Sequence, residues 1–124
     1  MDKIQPGVVI GADGFSYERI EHSFKLERFP HIGGVKIGDN VEVSSNCSIA
    51  RGSLSDTIIG DGTKLDALVH VAHNVEIGRN CILTAGTIVG AAQKLVISVG
   101  AYYQLKVIEC KNYTRKSKRI GITI

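Results

Sequence analysis

Aliphatic residues recur at every sixth position through the middle of the chain. Ile37, Val43 and Ile49 are followed, after a four-residue offset, by Ile59, Leu65, Val71, Ile77, Leu83 and Val89. Ile, Leu and Val make up 35 of the 124 residues, so nine such hits have a chance probability of about 10⁻⁵ before any choice of register. Two positions earlier in each unit stand Val35, Val41, Cys47, Thr57, Thr63, Val69, Val75, Cys81 and Thr87, all small or β-branched. The position after each aliphatic residue is mostly small, and the polar groups collect in pairs such as Asp39-Asn40, Asp61-Gly62 and Arg79-Asn80. A period of six suits neither a helix at 3.6 residues per turn nor a long strand at two. It suits short strands joined by tight corners.

If each hexapeptide is one side of a triangular coil, three sides close a turn of 18 residues and every aliphatic position points at the axis. Successive coils then pair their backbones with the coil above and below at about 4.8 Å. Gly and Asn supply the corners, where φ is positive. The predicted fold is an all-β parallel β-helix of three to four coils. Its open ends are strand edges that must be capped, continued or covered.

Two interruptions break the period. The segment from Ser16 to Gly34 brings charges, aromatics and Pro30 and is predicted to be a long loop projecting from the prism. The stretch ARGSLSDT, residues 50–57, holds the four extra residues and should bulge from one corner. After Gly90 the pattern degrades. Leu95, Ala101 and Val107 fit the axis, but Gln93 falls on a small inward site and Ile120-Gly121 is one residue out of phase. The expected organisation is a repeat unit over 1–92 and a divergent segment over 93–124, either a cap or the product of a changed reading frame.

Composition narrows the class. Hydrophobic residues at 44% and charged residues at 22% exclude a disordered or collagen-like chain. No apolar run reaches the roughly 18 residues of a membrane-spanning helix, and the N-terminus lacks a signal-peptide pattern, so a cytoplasmic location is expected. The net charge of +3 is uneven. Lys111, Arg115, Lys116, Lys118 and Arg119 crowd residues 111–119 without an acid, and the rest of the chain is net acidic. Such a run is read as a solvated tail, and no nucleic-acid partner is expected. Three cysteines, Cys47, Cys81 and Cys110, suggest neither a disulfide framework nor a metal site.

The motifs IGADGF at 10–15, IGGVKIGDNVEV at 32–43, ARGSLSDTIIGDGTKLD at 50–66 and HVAHNVEIG at 70–78 resemble those of the left-handed β-helix hexapeptide-repeat acyltransferases. Within them the likeness is to the UDP-3-O-acylglucosamine N-acyltransferase branch of lipid A (lipopolysaccharide) biosynthesis. It covers roughly residues 8–92. The repeat is specific for fold and weak for substrate, whereas AHN preceded by RGxLxDTxIG points to this branch. The resemblance implies left-handed coils, a homotrimer with sites in clefts between prisms, and burial there of outward apolar groups such as Leu68 and Ile82.

It also implies site residues. The family's general base falls on His73, which lies two residues after axial Val71 and so faces outward by alternation. The chemistry needs such a group, because an amine must lose a proton to attack a thioester and imidazole is matched to that task. Asp66 matches a family acid that orients the imidazole or contacts the sugar; its other reading is a corner residue. The oxyanion-binding amide falls on Ala91, where the family has Gly, a departure costing about 1 kcal/mol if φ there is positive. A second family histidine beyond that Gly, an N-terminal uridine-binding domain and a C-terminal helical segment have no counterpart. Asn74 is read as shaping a turn. His70 and His73 form HxxH without further ligands, and no metal site is expected.

The expected function is an N-acyltransferase that moves an acyl group from acyl carrier protein or a CoA thioester to the amine of a nucleotide-linked amino sugar, with no bound cofactor. The alternatives are an acetyl-CoA-dependent N-acetyltransferase of a different nucleotide sugar and a trimeric scaffold without turnover.

Overall fold

The structure, a computed structural model, describes residues 1–95 together with the strands at 106–109 and 122–123. It is a left-handed parallel β-helix of four coils. The first coil comprises β1 (Lys3–Ile4), β2 (Val9–Ala12), an inserted hairpin of β3 (Tyr17–Arg19) and β4 (Leu26–Arg28), and β5 (Val35–Ile37). The second is β6 (Glu42–Val43), β7 (Ser48–Ala50) and β8 (Thr57–Ile59), and the third β9 (Lys64–Leu65), β10 (His70–Val71) and β11 (Glu76–Ile77). The fourth is β12 (Ile82–Leu83), β13 (Ile88–Val89) and β14 (Lys94–Leu95). Three parallel faces result, with orders β1-β6-β9-β12, β2-β7-β10-β13 and β5-β8-β11-β14.

The sixfold pattern becomes the core because the register aligns like with like. Ile49, Val71 and Val89 stack in one row, Ile59, Ile77 and Leu95 in another, and Val43, Leu65 and Leu83 in the third. All nine are buried. At about 1.5–3 kcal/mol for each fully buried large aliphatic side chain, this column is the main source of stability. The inward small sites hold Val41, Cys47, Thr57, Thr63, Val69, Val75, Cys81 and Thr87, also buried. The threonines are tolerated there because each hydroxyl is bonded: Thr63 donates to Gly78 O at 2.7 Å, Thr87 donates to Thr84 O at 2.6 Å, and Thr57 accepts from Asn74 N at 2.9 Å. Backbone ladders join the coils, as in Asp66 N to Leu83 O at 2.8 Å and His70 N to Thr87 O at 2.9 Å.

Leu95 is fully buried on the axis, so the coil continues past residue 92, the boundary expected from sequence. The next strand, β15 (Lys106–Glu109), pairs antiparallel with β12 and then with β16 (Ile122–Thr123), and covers one face's terminal edge. The basic run at 111–119 lies outside the described residues. Cys47 is a free buried thiol, pushed up in pKa by burial. Cys81 is disulfide-bonded, a correction to the unpaired thiols expected from spacing. Among the described residues no helix is long and apolar enough to cross a membrane.

Candidate active site

The prism has three corners per coil, and the chemistry gathers at one of them. The corner between the first and second faces carries Gly7, Asn46, Leu68 and Gly86 at positive φ, and the corner between the third and first faces carries Asn40, Gly62 and Asn80. Above the first level of each corner a left-handed residue donates its amide to a carbonyl of the coil before, as Gly62 N does to Asp39 O and Asn80 N to Asp61 O, both at 2.8 Å. The corner between the second and third faces departs from this plainness. In the first coil it is opened by the hairpin insertion, in the second by the bulge at 51–56, in the third it is His73-Asn74 and in the fourth Ala91-Ala92.

Asn74 (φ 61°) organises this column. Its Oδ1 accepts from Ser53 N at 3.1 Å and Ser53 Oγ at 2.8 Å, while Nδ2 donates to Ser55 O at 3.2 Å and Ser55 Oγ at 3.0 Å. Those backbone partners fix which end of the amide is oxygen. His73 Nδ1 lies 2.9 Å from the same Oδ1, so Nδ1 carries the hydrogen and Nε2 keeps its lone pair. Asn74 therefore does more than shape the turn expected from sequence: it sets the tautomer of His73.

The two insertions are tied to each other and to this pair. Ile32 N donates to Ser53 O at 2.8 Å and Gly33 N to Gly52 O at 3.0 Å. Glycine is required at the junction, since a Cβ on Gly33 would stand 2.3 Å from Ser55 O and one on Gly52 1.6 Å from it. Gly34 N donates to Asp56 Oδ1 at 2.7 Å. That bond, helped by Lys36 Nζ at 3.4 Å from Oδ2, holds the Asp56 carboxyl below the ordinary carboxylate range. The hairpin is braced by Arg28, whose guanidinium lies 4.8 Å over the Tyr17 ring and donates to Gly14 O at 3.0 Å. His31, at the end of the loop, packs its ring edge-to-face against His73, centroids 4.9 Å apart. No periodicity signals that contact, because it depends on how an aperiodic loop returns.

His73 and Ala91 line one groove, with Asp13, Phe15, His70 and Ile88 among its other walls. At about 330 Å³ it is at the small end for a ligand site and open on one side. The outward row Val9, Ser48, His70 and Ile88 runs along its face, and Ile88 is 70% exposed. Ala91 stands one coil above His73, and among the described residues its amide donates to no protein acceptor. The positive φ belongs to Ala92 (59°), whose amide bonds His73 O at 3.0 Å, so the backbone penalty considered for Ala91 falls one residue later.

Asp66 is not brought to His73 within the protomer. It is exposed in a separate groove with Ser44, Lys64 and Thr84, its Oδ1 accepting from Ala67 N at 2.7 Å. Among the described residues no cluster of three or more His, Cys, Asp or Glu is arranged to hold a metal ion.

Comparison with known proteins finds a match over part of the coils: residues 56–91 match the model of the bacterial transferase hexapeptide family (six repeats). More narrowly, 82 residues, 66% of this chain, are 51% identical to UDP-3-O-acylglucosamine N-acyltransferase 2 of Nitrobacter winogradskyi. The chain spans about a quarter of that relative's length, 24%.

Proposed function

We propose that this chain is the catalytic β-helix part of an N-acyltransferase that transfers an acyl group from a thioester, on acyl carrier protein or CoA, to the amine of a nucleotide-linked amino sugar of the UDP-3-O-acylglucosamine type. The observation that carries the reading is the 2.9 Å contact of His73 Nδ1 with Asn74 Oδ1, which in the neutral imidazole leaves Nε2 as the acceptor in a groove one coil below the undonated amide of Ala91. The acceptor amine attacks the thioester carbonyl as its proton passes to His73 Nε2. The tetrahedral oxyanion takes a hydrogen bond from Ala91 N–H, a type of interaction worth about 10²–10³-fold in rate. Collapse expels the thiolate, which recovers the proton from His73. The acyl group arrives already activated, so no bound cofactor takes part, and the thioester donors put the reaction in the cytoplasm.

The groove needs a second wall. A homotrimer supplies it by setting the face of one prism against the next, covering Ile88 and Leu68, which are 70% and 62% exposed. Asp66 and His73 line separate grooves of the protomer, so a role for Asp66 toward the sugar or the imidazole requires a neighbouring copy. The 51% identical relative is a UDP-3-O-acylglucosamine N-acyltransferase, which favours this substrate class over a different nucleotide sugar.

The test is thioester consumption with long-chain acyl carrier protein and with acetyl-CoA, each against UDP-linked amino sugars, in wild type and His73→Ala. Transfer with the long-chain donor that disappears in the variant is expected. Equal rates remove His73 from the mechanism, preference for acetyl-CoA assigns the acetyltransferase reading, and no transfer with either donor leaves the scaffold.

A further inference from the structure

Behind His73, and outside the groove's own lining, packs an imidazole that the mechanism above does not use. His31 is 8% exposed and ends the projecting loop, directly after Pro30. Its Nδ1 lies 2.8 Å from Phe29 O, and because a carbonyl only accepts, Nδ1 carries the hydrogen. The consequence is a bare Nε2, buried and without a hydrogen-bond partner. An unpaired buried acceptor is a cost that a residue present for packing alone would shed, since an apolar ring of similar shape avoids it. The rings of His31 and His73 meet at 76° with centroids 4.9 Å apart, and the Phe29 ring stands edge-on to His31 on another side at 6.0 Å. Gly14 closes the cluster: a Cβ there would lie 2.7 Å from His73 Cβ and 2.8 Å from His31 Nε2, so only glycine permits the two histidines to approach.

We propose that His31 is a positioning residue for the His73 base. The Phe29 carbonyl anchors the His31 ring, and that ring blocks rotation of the His73 imidazole away from Asn74 Oδ1. The bare Nε2 is what remains of the one tautomer that can make the anchor. The imidazole of His73 is thereby held from two sides, by a hydrogen bond from the bulge corner and by an aromatic edge from the loop, so that Nε2 is the nitrogen presented to the groove. Edge-to-face pairs of this kind impose geometry as well as contact area.

The inference deepens the proposed function and rests on it for its relevance to catalysis, but its test does not need turnover. The side-chain ¹⁵N shifts of His73 in histidine-labelled full chain, read where the imidazole is neutral, report its tautomer directly. Wild type is expected to show a single Nδ1–H form. In His31→Ala a second, Nε2–H form should reach about one-tenth or more of the population, and His31→Phe, which keeps a ring but lacks the anchor to Phe29, should restore the wild-type pattern in part. The strand circular-dichroism signature of each variant guards against misfolding, with His31→Gln as the substitute should His31→Ala not fold. A His73 tautomer unchanged in a folded His31→Ala or His31→Gln overturns the proposal. A shifted tautomer in a chain that transfers no acyl group upholds it and sinks the acyltransferase reading alone. If transfer occurs, kcat should fall by about tenfold in His31→Ala with KM little changed, whereas a KM effect alone counts against positioning.

Discussion

Two corners of the same prism show what hexapeptide repeats do by default and what this chain adds. At the corner carrying Asn40, Gly62 and Asn80, left-handed residues at φ 57°, 74° and 53° turn the chain, and Gly62 and Asn80 each pass one amide to the previous coil. The turn there is made by the backbone. At the corner carrying Asn74 the first two levels are opened by insertions. At the third level the bonds that a plain corner makes along the backbone are made instead with side chains: Asn74 N donates to Thr57 Oγ1, Ser53 Oγ and His73 Nδ1 donate to Asn74 Oδ1, and Asn74 Nδ2 donates to Ser55 Oγ. The same turn geometry thus yields a solvated edge in one place and an oriented imidazole in the other, and the difference lies in what is inserted beneath it.

The comparison can be broken most decisively by exchanging roles. His73→Ala should reduce acyl transfer by about 10²–10⁴-fold, while Asn80→Ala at the plain corner should leave the rate unaltered and cost about 1 kcal/mol for alanine at positive φ. Rates beside urea denaturation check both. Next in size is glycine at the two asparagines, which keeps φ accessible. Asn80→Gly should stay within about 0.5 kcal/mol of wild type, whereas Asn74→Gly should lose about 1–3 kcal/mol for the groups it leaves unpaired and slow transfer about tenfold as His73 is freed. Equal stability losses at the two sites would erase the distinction.

A smaller effect concerns the remaining corner. Leu68 holds φ 62° with its side chain 62% exposed, a conformation costly for leucine. Leu68→Asn should stabilise the isolated protomer by about 1 kcal/mol. If the trimer covers Leu68, the same change should weaken association, read as a lower sedimentation-derived molecular mass on dilution. The smallest effect is in acid. Asp56 is held below the ordinary carboxylate value by Gly34 N and Lys36, so its contribution is present above the unfolded-state value and lost as pH falls through the lower native one. Thermal melts between neutral pH and pH 3 should fall more steeply for wild type than for Asp56→Asn.

The prism was legible because burial and period coincide. A six-residue repeat leaves one inward large site per side, and Val43, Ile49, Ile59, Leu65, Val71, Ile77, Leu83 and Val89 all occupy it with near-zero exposure. Ala91 follows His73 by one 18-residue coil, and the two residues line the same groove. Periodicity is silent on what escapes the period. The 31–73 contact joins an insertion to a repeat, so no spacing encodes it, and Asn74 looked like one more left-handed asparagine because its side-chain partners sit in the bulge. Asp66 shares a motif with His73 in sequence yet lies on another face, since the residues between them turn a corner at Leu68.

One consequence follows from the way the coils stack. Each level touches only its immediate neighbours, so a disturbance travels along the stack one rung at a time. The groove draws Asp13 and Phe15 from the first coil and Ile88 to Ala91 from the fourth, with His73 on the third. Loosening a single rung at either margin of the groove therefore dismantles its wall while the remaining rungs stay closed, and the cleft persists only as long as its least protected rung.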